Sequence, residues 1–401
     1  MSIATCSIIW FGLIANGVDA FTQPSSHHHH RVMASRASSS ITKIYSSKDL
    51  TDEQPNVTER VRSAVFQAPA SHSNNPLEIL TEVADSLRVA SLYGVDVVVY
   101  PELYLSGPDG SKALDRESYE LNIVGNMCGE LSVACIIGYA EAVHESELKT
   151  MKDSVGDDIK TYNSIAAFHA DGSRAGNYRS VASTKFRKGS PFVEFIPATL
   201  KLPKRETSEQ SSEQHEREIK VGMMCGNDIR KPEHSLHLVR CGAQVLFAPC
   251  SFKNNSSDRR LLEYVAATRA IENGVPVVIA NRESSTTTDD AKDEDDFIGS
   301  SAIISQDGEY LVCGPQEEGG DMPSDSGYLI PCKDGTIYAA DIDVATGSTS
   351  SVIQQSIDQW GLNPLIPSIV GDEGSKENTR ERNGFGNLSG KKIKGKKKLK
   401  K

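Results

Sequence analysis

Between residues 60 and 345, short apolar runs alternate with stretches whose apolar residues recur at helical spacing. Residues 61–67 predict a first strand. Asn75-Pro76 supplies an N-cap followed by proline at the first helical position. Leu77, Leu80, Val83, Ala84 and Leu87 then mark one face of a helix that runs up to Gly94. Residues 95–100 are β-branched and apolar apart from Asp96, as a strand covered on both faces requires. Further strands are predicted at 133–138 and at 164–169, the second running into Asp171-Gly172. Strands at 219–224, 245–248 and 275–280 are separated by a short helix, 233–241, and a longer one, 258–273, closed by Gly274. Residues 302–305 and 310–312 flank Gln306-Asp307-Gly308, a hairpin signal, and 337–342 closes the series. Two charged stretches, 204–218 and 283–296, lack apolar periodicity and read as exposed loops. Such alternation of helices with nearly continuous apolar strands argues for an α/β fold.

The ends do not share this pattern. Residues 1–20 carry one charged side chain, Asp19, and an apolar stretch at 8–15 followed by Val18-Asp19-Ala20. That is the composition of a signal peptide with a small-residue cleavage site, too short to span a bilayer. Residues 21–48 hold no acid, four bases (Arg31, Arg36, Lys43, Lys48) and many serines, which is transit-peptide composition; this transit-like segment extends to about residue 55. In series, with Phe21 just after the cut, the two resemble a bipartite plastid presequence, the alternative being a secreted protein with a disordered linker. His27–His30 lie inside this segment and read as low-complexity sequence. Residues 366–401 are polar and predict a disordered tail, with eight lysines between 391 and 401. The chain carries a net charge of −11 despite these basic ends, so the body between them is strongly acidic. A body of that charge does not bind nucleic acid through its own surface. For the lysine-rich tail, RNA, anionic lipid and the body itself all stay open as partners. The eight cysteines form no CxxC pair and show no metal-ligand spacing, which suits a reduced compartment without structural disulfides and implies no metal or organic cofactor.

Chemistry concentrates at two places. Tyr100-Pro101-Glu102 ends one apolar run, and Met224-Cys225-Gly226-Asn227-Asp228-Ile229-Arg230-Lys231-Pro232-Glu233 ends another. A strand that delivers a carboxylate beside a cysteine-bearing turn is the layout of a thiol enzyme with its own general base, because cysteine attacks best as thiolate. Further blocks follow in order: Asp171-Gly172 with Asn177-Tyr178-Arg179, Cys241-Gly242-Ala243 with Ala248-Pro249, Arg269-Ala270-Ile271-Glu272-Asn273, Asn281-Arg282, and Phe297-Ile298-Gly299-Ser300-Ser301 ahead of Asp307-Gly308. Together they resemble the carbon–nitrogen hydrolase (nitrilase) superfamily over residues 60–345. The resemblance implies a four-layer α-β-β-α sandwich in which two sheets pack face to face beneath helices. It also implies a homo-oligomer, a small amide-type substrate, and cofactor-independent chemistry by glutamate as base, cysteine as nucleophile and lysine as oxyanion stabiliser.

Glu102 fits the first of these roles. Where the family has its lysine, after Tyr178-Arg179, this chain has Ser180, so the resemblance turns to Lys185 as the oxyanion cation, or to Lys188. Counting back from Asp228, the family's nucleophile falls at Gly226. Cys225 takes that role if the turn is one residue longer, with Gly226 supplying the backbone freedom such a turn needs. Glu194 resembles a second glutamate that orients the site in many members. His169, His234 and His237 read as ordinary core or surface residues. The Trp-Glu that follows the cysteine in nitrilases is absent, which favours amide over nitrile cleavage. Two functions follow: amide hydrolysis by Cys225, Glu102 and Lys185, or a non-catalytic protein that keeps the fold for binding or assembly.

Overall fold

A computed structural model describes residues 58–69, 75–107, 110–145, 147, 161–183, 185–186, 188–189, 194, 196–204, 217–283, 297–314, 327–333 and 335–345. The expected signal peptide and transit-like segment, the lysine-rich tail and most of both charged insertions lie outside the described residues. The chain divides into residues 1–55 and 56–401, and all described residues belong to the second unit.

Thirteen strands among the described residues form two sheets. The first runs β12 (Gly327–Cys332), β13 (Gly335–Ala345), β1 (Thr58–Gln67), β2 (Val97–Val99), β3 (Ala134–Ala142), β4 (Thr161–Phe168), β5 (Arg174–Arg179). The second runs β11 (Tyr310–Cys313), β10 (Ala302–Ile304), β9 (Val277–Ala280), β8 (Val245–Pro249), β7 (Glu218–Met223), β6 (Ala198–Lys201). Each sheet has a parallel centre, β1-β2-β3 in one and β7-β8-β9 in the other, with antiparallel flanks.

Three apolar clusters show the layering. Val61, Val65, Val97, Val99 and Ile136 of the first sheet meet Val221, Val245, Phe247 and Val278 of the second. The opposite face of the first sheet packs on α1 (Pro76–Leu92) and α2 (Tyr119–Leu131) through Val83, Leu87, Leu121 and Val124. The opposite face of the second sheet packs on the helices Pro232–Arg240 and Ala266–Asn273 through Leu238, Ala266 and Ala270. Four layers, helix on sheet on sheet on helix, are therefore present. Strands covered on both faces account for the nearly unbroken apolar runs.

The local signals mostly translate. Asn75 caps α1, its side chain accepting from Leu77 N at 3.2 Å. Leu77 itself is exposed, and Ile79 takes its expected place in the core, so the buried stripe is shifted from the predicted one. The helix expected over 258–273 starts at Ser256 and contains a π-helical turn, Leu261–Val265. The apolar pattern does not predict helix α2 or strands β5, β6 and β12. The stretch predicted as an exposed loop from 204 to 218 is shorter at its C-terminal end. Arg217 is nearly buried, donating to Asp96 Oδ1 at 2.8 Å and to the Arg60 carbonyl at 2.8 Å, and Glu218 opens β7. Asp96, the lone charge of its strand, is thereby paired.

Candidate active site

Parallel strands bring their C-terminal ends to one edge, where ligands bind in open α/β sheets. On the first sheet β2 ends just before Tyr100-Pro101-Glu102. On the second, β7 leads into Met224-Cys225, β8 into Cys250-Ser251 and β9 into Asn281-Arg282. Backbone bonds stitch the two edges together: Glu102 N donates to the Cys250 carbonyl at 3.2 Å, and Ser251 Oγ donates to the Glu102 carbonyl at 3.2 Å.

Glu102 and Cys225 are joined through Asn163 of β4. The Asn163 Nδ2 donates to Glu102 Oε1, and Cys225 Sγ donates to Asn163 Oδ1 at 3.1 Å. Cys225 belongs to the cluster between the sheets, whereas its neighbour Met224 faces the helix layer. The thiol is fully buried, and Glu102 is partly exposed. Burial pushes the Glu102 carboxyl up to about 7, with Asp228 adding to the rise and the Asn163 bond and Arg282 opposing it. Burial, with the negative charges of Glu102 and Asp228, holds the Cys225 thiol well above its ordinary range. The resting pair is a neutral thiol beside a carboxylate poised near neutrality.

The turn that presents the thiol is organised by Asp228, which is wholly buried. Its carboxylate accepts from Cys225 N at 2.9 Å, Tyr178 OH at 2.6 Å, Ser180 Oγ at 3.1 Å, Val181 N at 3.1 Å and Ala182 N at 2.8 Å. Burial still leaves its acid–base midpoint raised despite these donors. Ser180, where the sequence resemblance leads one to expect a lysine, sits beside the site and spends its hydroxyl on Asp228. Its amide also donates to the Asn163 carbonyl at 2.8 Å.

Lys185 does not join this group. Lys185 and Lys188 are both exposed, and among the described residues neither is bonded to Glu102, Cys225 or Asp228. Glu194 is buried and accepts from Arg179 N at 2.8 Å, and burial raises its carboxyl to about 6. His234 is buried against Tyr178, with ring centroids 5.7 Å apart, and His169 Nδ1 accepts from Lys201 N at 2.9 Å; both are framework contacts. Sequence reading missed Asn163, which falls one residue before the predicted strand 164–169 but inside β4. It also missed Glu141, buried and held in its charged form by Arg179 and Arg116 against the pull of burial.

Gly226 explains the offset of the cysteine. Its φ is +53°, and a Cβ built there would lie 2.6 Å from Glu102 Oε1. The Glu102 carboxylate fills the space that a side chain at 226 would need. Gly226→Ala is therefore expected to displace Glu102 and to cost about 1–2 kcal/mol for the left-handed backbone alone, read by denaturant unfolding.

The family model "Carbon-nitrogen hydrolase" matches residues 62–346. Among solved structures, the chain is similar to Nit3 of Saccharomyces cerevisiae, a member of branch 10 of the nitrilase superfamily, at 16% identity. That match covers 77% of this chain and 96% of Nit3 with a TM-score of 0.53. It is also similar to an amidase from a Nesterenkonia species at 15% identity, covering 75% of this chain and 96% of the amidase with a TM-score of 0.51. A cysteine-to-alanine mutant of the Nesterenkonia sp. AN1 amidase in complex with butyramide matches at 16% identity, over 70% of this chain and 90% of that one, with a TM-score of 0.50. At such identities the likeness concerns the fold alone. No curated protein matches this chain.

Proposed function

The chain belongs to the carbon-nitrogen hydrolase family, and from that premise we propose that it hydrolyses a small amide with Cys225 as nucleophile and Glu102 as general base. The observation that carries this reading is the chain Cys225 Sγ–Asn163–Glu102, which couples a thiol to a carboxylate raised to about 7. Attack of sulfur on the amide carbon forms a carbon–sulfur bond while the thiol proton passes to Glu102 directly or through one water, Asn163 orienting both groups and carrying no proton itself. The protonated Glu102 returns that proton to the departing nitrogen as the carbon–nitrogen bond breaks. Water, deprotonated by Glu102, then cleaves the thioester to the acid and restores the thiol. A base with its midpoint near neutral pH suits both halves, since it must accept and donate within one cycle.

The second reading, a binding protein without turnover, draws support from Ser180 and the exposed Lys185, which leave the lysine's role unfilled. Labelling separates the two. With a limiting amount of iodoacetamide, peptide mapping is expected to find Cys225 modified ahead of Cys241, although Cys241 is exposed and Cys225 is buried. Modification that follows exposure, with Cys241 first and Cys225 spared, overturns the catalytic reading.

A further inference from the structure

Attack of Cys225 on an amide puts a full negative charge on the carbonyl oxygen, and in a water-poor pocket a charged donor stabilises it best. Ser180 offers only a neutral hydroxyl, already spent on Asp228, and Lys185 and Lys188 are exposed. A buried cation does lie beside the pair. Arg282 follows β9 and is fully buried. Its Nη2 donates to the Glu102 carbonyl at 3.3 Å, while Nε and Nη1 have no hydrogen-bond partner among the described residues. The Tyr104 and Phe297 rings flank it, their centroids 5.9 Å and 5.8 Å from its central carbon. Burial lowers its midpoint to about 10, so it stays charged at neutral pH. A buried charge with unspent donors is costly to keep, and the cost falls when a negative charge forms within reach of those donors.

We propose that Arg282 supplies the oxyanion cation that Ser180 does not, donating from Nε or Nη1 to the amide oxygen as Cys225 attacks. The proposal rests on the amide-hydrolase reading and adds a catalytic residue to it. Glu102 links the two groups: its main-chain carbonyl holds Arg282, and its carboxylate meets the Gly226 turn beside the thiol. Cys225 follows β7 and Arg282 follows β9, two strands apart in one sheet. Neighbouring strands lie about 4.8 Å apart, which puts the two backbones at about 10 Å, a gap that an arginine side chain and one acyl group fill. Charge follows the same path. Before attack, Arg282 offsets the Glu102 carboxylate, each acting on the other electrostatically. As sulfur bonds to the carbon, the thiol proton neutralises Glu102 and an electron pair of the carbonyl moves onto oxygen. The negative charge has then passed from Glu102 to the substrate, and the buried net charge is unchanged. When the carbon–nitrogen bond breaks, Glu102 gives its proton to the nitrogen, the carbonyl re-forms and the charge returns to Glu102.

The test reads the full chain without an assay of turnover. Butyraldehyde adds to a thiol to form a thiohemiacetal, with the tetrahedral carbon and oxygen that attack on an amide creates. Butyramide, of the same length, reports binding before attack. Each is titrated for protection of Cys225 against iodoacetamide, whose displacement reaction forms no oxyanion, with peptide mapping as the readout. Arg282→Gln is expected to raise the butyraldehyde concentration for half protection by about a hundredfold and the butyramide concentration by no more than about threefold. Arg282→Lys, which keeps the charge but not the fork, should recover part of the aldehyde protection. Equal weakening of both compounds, an unchanged aldehyde titration, no aldehyde protection in the wild type, or a lysine no better than glutamine overturns the proposal. Should Arg282→Gln fail to fold, judged by circular dichroism, Arg282→Lys carries the comparison and must be weakened for the aldehyde alone. A wild-type Cys225 inert to iodoacetamide would remove the amide-hydrolase reading and this assignment with it, whereas a reactive thiol with an unchanged aldehyde titration strikes Arg282 alone.

Discussion

Cys225→Ala is expected to reduce amide hydrolysis to the uncatalysed background, and Glu102→Gln to lower it by about a hundredfold to ten-thousandfold. Release of ammonia from a panel of small amides, charged and neutral, measures both. The first change removes the one thiol that, among the described residues, is bonded to Asn163. The second leaves the thiol in place but gives its proton nowhere to go. Glutamine keeps the shape of the side chain and still accepts from Asn163 Nδ2, so the loss is one of proton transfer. A stability control separates this loss from unfolding. The Glu102 midpoint is raised from 4.5 to about 7 in the folded protein, so the fold holds the proton more tightly than the unfolded chain does. Ionising Glu102 therefore costs stability as pH rises from 4.5 through 7. Glu102→Gln removes that cost, and its melting temperature at pH 8 is expected to equal or exceed that of the wild type. A variant that is both inactive and less stable at pH 8 would contradict this account of Glu102.

The largest stability effect is expected at Asp228. Asp228→Ala strips the acceptor from five donors at once: two side-chain hydroxyls and three backbone amides, one of them the amide of Cys225. Leaving a buried donor unsatisfied costs about 1–3 kcal/mol each, and partial relaxation or water entry offsets part of the sum. A loss of about 3–5 kcal/mol is expected in urea unfolding, enough to threaten a protein of ordinary stability. Asp228→Asn keeps the size but turns one acceptor into a donor facing other donors, so it should fall between. A change below about 1 kcal/mol for Asp228→Ala would mean that these donors find other partners, and that the turn is not held as described.

Much of this was legible in the sequence because the strands are buried on both sides. Residues 95–100, 219–224, 245–248 and 275–280 could be read as strands, and the Glu102 carboxylate follows the first of these and the Cys225 thiol the second. The exact face of α1 was less legible, since Leu77 and Ile79 are equally apolar and only packing against elements distant in sequence, such as α2 and β12, decides between them. Asn163 and Asp228 were hidden for another reason. Their importance comes from partners 48 to 62 residues away, as in Tyr178–Asp228, Ser180–Asp228 and Cys225–Asn163, and no local pattern reports such pairings. Gly226 was visible as a departure, but its meaning needed the position of the Glu102 carboxylate. Whether Lys185 serves as the oxyanion cation was not legible either, because proximity along the chain does not fix where a side chain points.

The coupling between Glu102 and Cys225 is the central claim, and the pH dependence of thiol alkylation tests it most directly. Rates of iodoacetamide modification at Cys225, followed by peptide mapping from pH 5.5 to 9, should rise tenfold per unit and level off near 7 in the wild type, as Glu102 becomes able to accept the proton. In Glu102→Gln the inflection near 7 should vanish, leaving a slow rate that climbs only as the thiol itself ionises well above its ordinary range. The same inflection in both proteins, or none in the wild type, would contradict the account.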